Sequence, residues 1–173
     1  MELTIKSPNP SLRIIEDRRK QVDPLFQKLH RRFENQLKCG KGCHECCVDA
    51  LTVFEVEAQS IQARYPHVLK EKPHPPGKCA FLNLDGECRV YQARPYVCRS
   101  QGLPLRWLAE HQEEWVEFRD ICPLNDETIA LEKLDENDCW TLGPEEEFLA
   151  TTQSQEGEKP GKRVELRALF AAP

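Results

Sequence analysis

Apolar positions in the first part of the chain fall at helical spacing. Leu12, Ile15 and Val22 stand among charges and predict a helix over 11–22. Asp23 followed by Pro24 has the form of an N-cap and first helical position, so a second helix is expected to start there. Leu25, Phe26, Leu29, Phe33 and Leu37 continue as one apolar stripe, and Gly40 suits the residue just past a helix end. This helix is expected to deliver Cys39 at its C-terminus.

Thr52-Val53-Phe54-Glu55 has the form of a capping box, and Phe54, Ala58, Ile61 and Tyr65 predict a helix that Pro66 ends. Pro73-His74-Pro75-Pro76-Gly77 reads as a loop. Two short apolar pieces, Cys79–Leu82 and Glu87–Val90, flank Asn83-Leu84-Asp85-Gly86, and the Asp-Gly dipeptide predicts a hairpin holding Cys79 near Cys88. Leu105 to Phe118 fits either a helix or a hairpin around His111-Gln112. Helices are expected around Thr128–Leu134 and Pro144–Thr151, the latter with Pro and three glutamates favouring its N-terminus.

These elements predict a small single domain, mainly α with a short β-hairpin, around an irregular, metal-centred cysteine-rich middle. The expected divisions are an N-terminal helical segment over 1–38, a cysteine-cluster region over 39–125, a C-terminal helical segment over 126–151 and a flexible tail over 152–173. No internal repeat is visible.

Composition narrows the class. With 173 residues, 39% hydrophobic and 31% charged, the chain reads as a soluble domain with a modest core. No apolar run approaches the roughly 18 residues of a membrane span, and the first residues lack a signal-peptide pattern. A cytoplasmic location is therefore expected.

The net charge of −5 is unevenly spread. Lys and Arg stand against Asp and Glu as 9 to 5 over residues 1–38, 8 to 7 over 39–104 and 7 to 17 over 105–173. The runs Arg18-Arg19-Lys20 and Arg31-Arg32 read as a solvated helix face able to meet the acidic third, rather than as a nucleic-acid surface.

Cysteine usage changes the picture most. Nine cysteines are many for a reducing compartment, and an odd number leaves one over in any full pairing. Clustered cytosolic cysteines more often ligate metal or do redox work than form disulfides. Four of them crowd into Cys39-x3-Cys43-x2-Cys46-Cys47, and Cys79, Cys88, Cys98, Cys122 and Cys139 follow. Thiolates hold zinc in tetrahedral fours and hold iron–sulfur clusters in fours. Cys43-x2-Cys46 is a recurrent two-ligand spacing, and Gly40 and Gly42 let the loop fold tightly.

The adjacent Cys46 and Cys47 tend to point apart, so both ligating one zinc is awkward. Eight ligands supply two four-cysteine sites, or one site and a redox-active remainder. His44 reads as an exposed loop histidine, with ligation as the alternative. Arg94 and Arg99 read as ties between loop carbonyls, the rival being hydrogen bonds to a cluster, anion or substrate. Asp49, His67 and His74 read as surface residues. Dinucleotide, phosphate-loop and His-Glu-x-x-His motifs are missing, so an activity would have to arise from the cysteines themselves.

Taken together, Cys39-x3-Cys43-x2-Cys46-Cys47, Cys79-x2-Leu82, Gly86-x-Cys88-x-Val90-Tyr91-x2-Arg94-Pro95-x2-Cys98-Arg99 and Cys122-Pro123-Leu124-Asn125 resemble the YkgJ-type cysteine cluster family. Gly102-Leu103-Pro104-Leu105 is similar to one of its branches. The family is described as a zinc- or iron-chelating domain, and flagellin N-methylase is a relative. The resemblance implies metal ligation by Cys39, Cys43, Cys46, Cys47, Cys79, Cys88, Cys98 and Cys122, with Cys139 outside the pattern as a free thiol. Zinc or iron is the implied cofactor, an iron–sulfur cluster being one form of the latter. The alternative to plain chelation that the resemblance implies is an iron–sulfur-dependent, methylation-related modifier of proteins; the cysteines themselves allow a weaker third reading, a thiol redox sensor using Cys46-Cys47 or Cys139. A protein substrate or partner is compatible with these readings; a membrane is not expected, and nucleic acid is disfavoured.

Overall fold

The computed structural model describes residues 10–40, 42–125 and 129–170. Helix α1 (Pro10–Arg32) is followed by strand β1 (Thr52–Phe54), α2 (Glu55–Arg64) and the short α3 (Tyr96–Arg99). Strands β2 (Leu105–His111), β3 (Glu114–Asp120) and β4 (Trp140–Thr141), helix α4 (Gly143–Gln155) and strand β5 (Arg163–Glu165) complete the chain, with 3-10 turns between. The architecture is mainly α with a short hairpin, as the apolar pattern predicts.

Helix α1 corrects the expected break at Asp23-Pro24: one helix runs through Pro24. The physical reason is the continuous stripe of Ile15, Val22, Phe26 and Leu29, all buried on one face. An interior proline costs about 3 kcal/mol, whereas each buried apolar side chain contributes about 1.5–3 kcal/mol. The helix also ends earlier than expected, and Phe33 and Leu37 pack in the turns after it. Phe26 meets Trp140 with ring centroids 4.2 Å apart, tying α1 to β4.

The basic runs of α1 partly turn inward. Arg18 pairs with Glu145 at 2.7 Å and Arg32 with Asp138 at 2.5 Å, so the helix does meet the acidic third. Arg19, however, is buried rather than solvated; it donates to Ser60 Oγ at 2.9 Å and the Ala93 carbonyl at 3.3 Å.

Thr52 does not cap a helix but opens β1, which pairs antiparallel with β5 in the register Thr52↔Glu165, Val53↔Val164 and Phe54↔Arg163. The N-terminus of α2 is satisfied from a distance instead: Gln153 Oε1 accepts the Glu55 N–H at 2.8 Å. The same fully buried Gln153 donates to the carbonyl of Lys162 at 3.0 Å, so one side chain joins α2, α4 and the approach to β5. Residues 163–170, expected in a flexible tail, instead form strand β5 and the 3-10 turn that follows it. Leu166 and Phe170 are buried beside Val53, Ile61 and Phe81, because pairing with β1 buries their apolar surface.

The ambiguous stretch at 105–120 is the hairpin β2–β3, with Trp107 opposite Phe118 and the tight turn at Gln112 and Glu113. Strand β4 adds to β2 in parallel. The expected helix around Thr128–Leu134 is reduced, among the described residues, to a 3-10 turn at Leu131–Lys133; its start lies outside them. No helix among the described residues is long and apolar enough to cross a membrane.

Candidate metal centre

The loop from Cys39 to Cys47 is built by two successive turns. Cys43 N–H donates to the Gly40 carbonyl at 3.1 Å, and Cys47 N–H to the His44 carbonyl at 3.0 Å. Gly42, with φ of +85°, supplies a left-handed conformation between them. Lys38 fixes the loop's start: its N–H donates to Asn125 Oδ1 at 2.9 Å.

The distant cysteines are drawn in by separate devices. Cys79 N–H donates to the Cys47 carbonyl at 2.8 Å, joining the two chain segments directly. The Asn83–Gly86 turn places Leu82 opposite Cys88 in a single antiparallel bridge, shorter than a full hairpin but sufficient to hold Cys79 and Cys88 on neighbouring segments. Cys98 sits in α3, whose first N–H, that of Tyr96, donates to Glu57 Oε1 at 2.7 Å. Cys122 is held by Asn125, whose N–H donates to the Cys122 carbonyl at 2.9 Å and whose Nδ2 donates to the Gly102 carbonyl at 2.6 Å.

Cys39, Cys43, Cys46, Cys47, Cys79, Cys88 and Cys98 all line one cavity of about 520 Å³. Cys122 does not border that cavity but is joined to it through the Asn125 clamp beside Cys39. Gly102 makes room for this approach: a Cβ there would lie 2.7 Å from Cys39 Cβ and 3.0 Å from its sulfur. Cys139 is buried elsewhere, beyond the cavity wall, and none of the nine cysteines is in a disulfide.

The thiols shape one another's ionisation. Burial, then the neighbouring thiols of Cys43, Cys46 and Cys122, pushes Cys39 up to about 11. Burial is also the main cause at Cys79, Cys88 and Cys98, all raised, with Cys79 and Cys88 acting on Cys98. The interaction between the adjacent Cys46 and Cys47 thiols raises Cys47 and, with Arg94 and Lys78 nearby, lowers Cys46. A bound cation reverses the burial penalty, since it favours the thiolates that burial disfavours.

The donor set therefore fits a thiophilic metal. The thiols surround a shared space, and glycines let the loop adjust. Among the described residues, no three His, Cys, Asp or Glu side chains already converge tightly enough to hold a single ion.

The remaining sequence candidates divide. Arg99 ties loop carbonyls as expected, donating to Arg94 O at 2.9 Å and Gln92 O at 2.5 Å, and it pairs with Asp23. Arg94 donates to Tyr91 O at 3.1 Å and lays its guanidinium 3.6 Å from the Tyr91 ring centre, at the cavity wall. His44 is not the exposed loop residue expected: it is half-buried against Gly86, with Nδ1 buried and unpartnered. Asp49 is likewise not free on the surface. It accepts the Gly77 N–H at 3.0 Å and pairs with Arg167, which also donates to Lys78 O at 2.9 Å beside Cys79.

Four supporting residues carry no local signal of these roles: Asn125, Glu57, Arg167 and Gly102. Their partners lie far away in sequence, and only the Gly102 and Asn125 motifs were visible, through the family resemblance.

No curated protein and no solved structure matches the chain. The CxxCxxCC family model, described as "Putative zinc- or iron-chelating domain", matches residues 38–123, spanning the loop, the hairpin, α3 and Cys122. The chain belongs to this cysteine-cluster family of zinc- or iron-chelating domains.

Proposed function

We propose that this protein chelates zinc or iron through the thiolates of Cys39, Cys43, Cys46, Cys47, Cys79, Cys88, Cys98 and Cys122. The observation that carries the reading is the convergence of seven of these cysteines, from four separate chain segments, on one cavity. Thiols buried together suppress one another's ionisation, and a bound metal ion overcomes that suppression by favouring the thiolates that hold it. Residues 39–125 are then the metal-binding region, and the helices and β1–β5 pair form the frame that holds it. Clustered cysteines that ligate metal are more usual in a reducing compartment, which supports a cytoplasmic location.

The volume of the cavity leaves room for a second reading of the metal's form. Four sulfurs on one zinc stand roughly 3.8 Å apart, as the ~2.3 Å zinc–sulfur bond and a tetrahedral angle require. An iron–sulfur cluster keeps its thiolates farther from one another, which suits a cavity of about 520 Å³. Such a cluster would support a protein-modifying, methylation-related activity of the kind known among the family's relatives.

Elemental analysis, acid-labile sulfide and an ultraviolet–visible spectrum on protein purified anaerobically under reducing conditions test both. Zinc in colourless protein supports chelation of single ions. Iron with sulfide in brown protein supports the cluster. Protein that takes up neither metal after reconstitution overturns the proposal.

A further inference from the structure

The hairpin β2–β3 projects from the packed cores of the protein. Leu105 at its base packs against the core that holds Phe26 and Trp140, but Trp107, Leu108, Trp115, Val116 and Phe118 belong to no core cluster. The base is held by charge and hydrogen bonds: Arg106 pairs with Glu136 at 2.8 Å, and Arg119 donates to the carbonyls of Leu131 and Leu134 at 2.6 Å. Towards the tip no other described strand joins it, because β4 pairs only with Leu105 and Arg106 and β3 is the outer edge of the sheet.

The two faces of the hairpin differ. On one, Trp107 and Phe118 stack across the strands with ring centroids 5.8 Å apart, which stabilises the hairpin itself. On the other, Leu108 and Trp115 are 57% and 74% exposed, and Trp115 stands opposite Glu110. Glu110, Glu113 and Glu114 are exposed around the tip, and none of them has an ion-pair partner among the described residues. Glu117, by contrast, is taken by Arg106 and Arg119.

We propose that the outer edge of this hairpin binds an extended, lysine- or arginine-bearing segment of a partner protein, which adds to β3 as a further strand. An edge strand offers unpaired backbone donors and acceptors, and an extended segment satisfies them. The exposed carboxylates attract cations, and the ring face of Trp115 accepts one within about 6 Å. The same carboxylates oppose a second copy of the chain, since pairing β3 with another β3 sets like charges on neighbouring strands. None of these side chains lines the cysteine cavity, so the proposal stands independently of chelation.

The test titrates the full chain into a dye-labelled, terminally blocked peptide of alternating lysine and valine, read by fluorescence anisotropy at physiological ionic strength. Saturable binding is expected, with the β3 amides gaining protection from hydrogen exchange. The glutamate–valine counterpart should not bind, and N-methylation throughout the lysine–valine backbone should abolish binding without changing its charge. Trp115→Ala should weaken binding about tenfold, and so should the triple variant Glu110→Gln, Glu113→Gln, Glu114→Gln. The control triple Glu34→Gln, Asp85→Asn, Glu156→Gln removes the same charge from exposed positions on other elements and should change binding less than about twofold. Far-ultraviolet circular dichroism checks that each variant folds. No saturable binding, equal binding of the N-methylated peptide, or equal loss from both triples overturns the proposal. A concentration-dependent dimer in sedimentation velocity that Trp115→Ala dissolves also overturns it, because the hairpin then serves a second copy.

Discussion

Asn125 reaches across 87 residues of sequence to accept the backbone N–H of Lys38 at 2.9 Å. Its amide nitrogen simultaneously donates to the Gly102 carbonyl at 2.6 Å. One buried side chain thus closes the ring of segments around Cys39, and the amide is suited to it because it offers a donor and an acceptor together.

Asn125→Ala should therefore lower stability by about 1–3 kcal/mol, since it strands the buried Gly102 carbonyl and removes the acceptor of the part-buried Lys38 N–H. Asn125→Asp should also destabilise, because it keeps an acceptor for Lys38 but turns a carboxylate towards the Gly102 carbonyl. Urea unfolding of the metal-free chain measures both. An Asn125→Ala midpoint equal to that of the unaltered protein would contradict the clamp.

Gly102 carries a stricter demand. Its φ is +90° and a Cβ would lie 2.7 Å from Cys39 Cβ. Gly102→Ala should cost roughly 2–4 kcal/mol, from left-handed strain and overpacking together. Gly40→Ala is the control, because nothing lies within 4 Å of the Cβ it adds. Thermal unfolding should separate the two variants clearly, with Gly40→Ala shifted far less.

Metal removal should loosen the centre more than the frame. Structural zinc contributes on the order of 10–16 kcal/mol in small peptides at neutral pH. A chelator should expose cleavage sites between residues 39 and 122, while the buried β1–β5 pairing persists longer, read by limited proteolysis with mass spectrometry. Because burial keeps Cys79, Cys88 and Cys98 protonated, metal must displace protons. Affinity should rise with pH, and loading in weak buffer should acidify the solution; pH-independent affinity would count against thiolate ligation.

Glu57 predicts a pH effect that comes from a carboxyl rather than from a thiol. Burial pushes its carboxyl up to about 7, opposed by the Tyr96 N–H and the Arg19 charge, and Glu57 Oε2 has no hydrogen-bond partner. An unfolded glutamate titrates near 4.3. The folded group holds its proton more tightly, so its contribution is fully present below the unfolded value and is lost as pH rises to the folded one. Between about pH 4.5 and 7 this should remove roughly 1–3 kcal/mol of stability. Glu57→Gln keeps an oxygen for the Tyr96 N–H and should flatten that dependence. The measurement is the unfolding free-energy difference between variant and parent across this range, and a constant difference would refute it.

Periodicity and spacing determined much of this protein by themselves. The α1 stripe, the α2 helix ended by Pro66, the Asp85-Gly86 turn and the Pro144 helix start are all local patterns, and local patterns follow from local sterics and burial on one face. The cysteine spacing likewise announced a metal-binding class, because ligand chemistry depends on residue type. Tertiary structure decided the rest. It carried α1 through Pro24, since burial along the whole stripe outweighs one lost hydrogen bond. It drew residues 163–170 out of an expected tail, since the strand they form is completed only by β1. It brought Cys122 to Cys39 through Asn125, a contact whose two ends are separated by most of the cysteine region. Hydrogen bonds and apolar contacts between distant segments leave no periodic trace in the chain, and in this protein those contacts arrange the sulfurs.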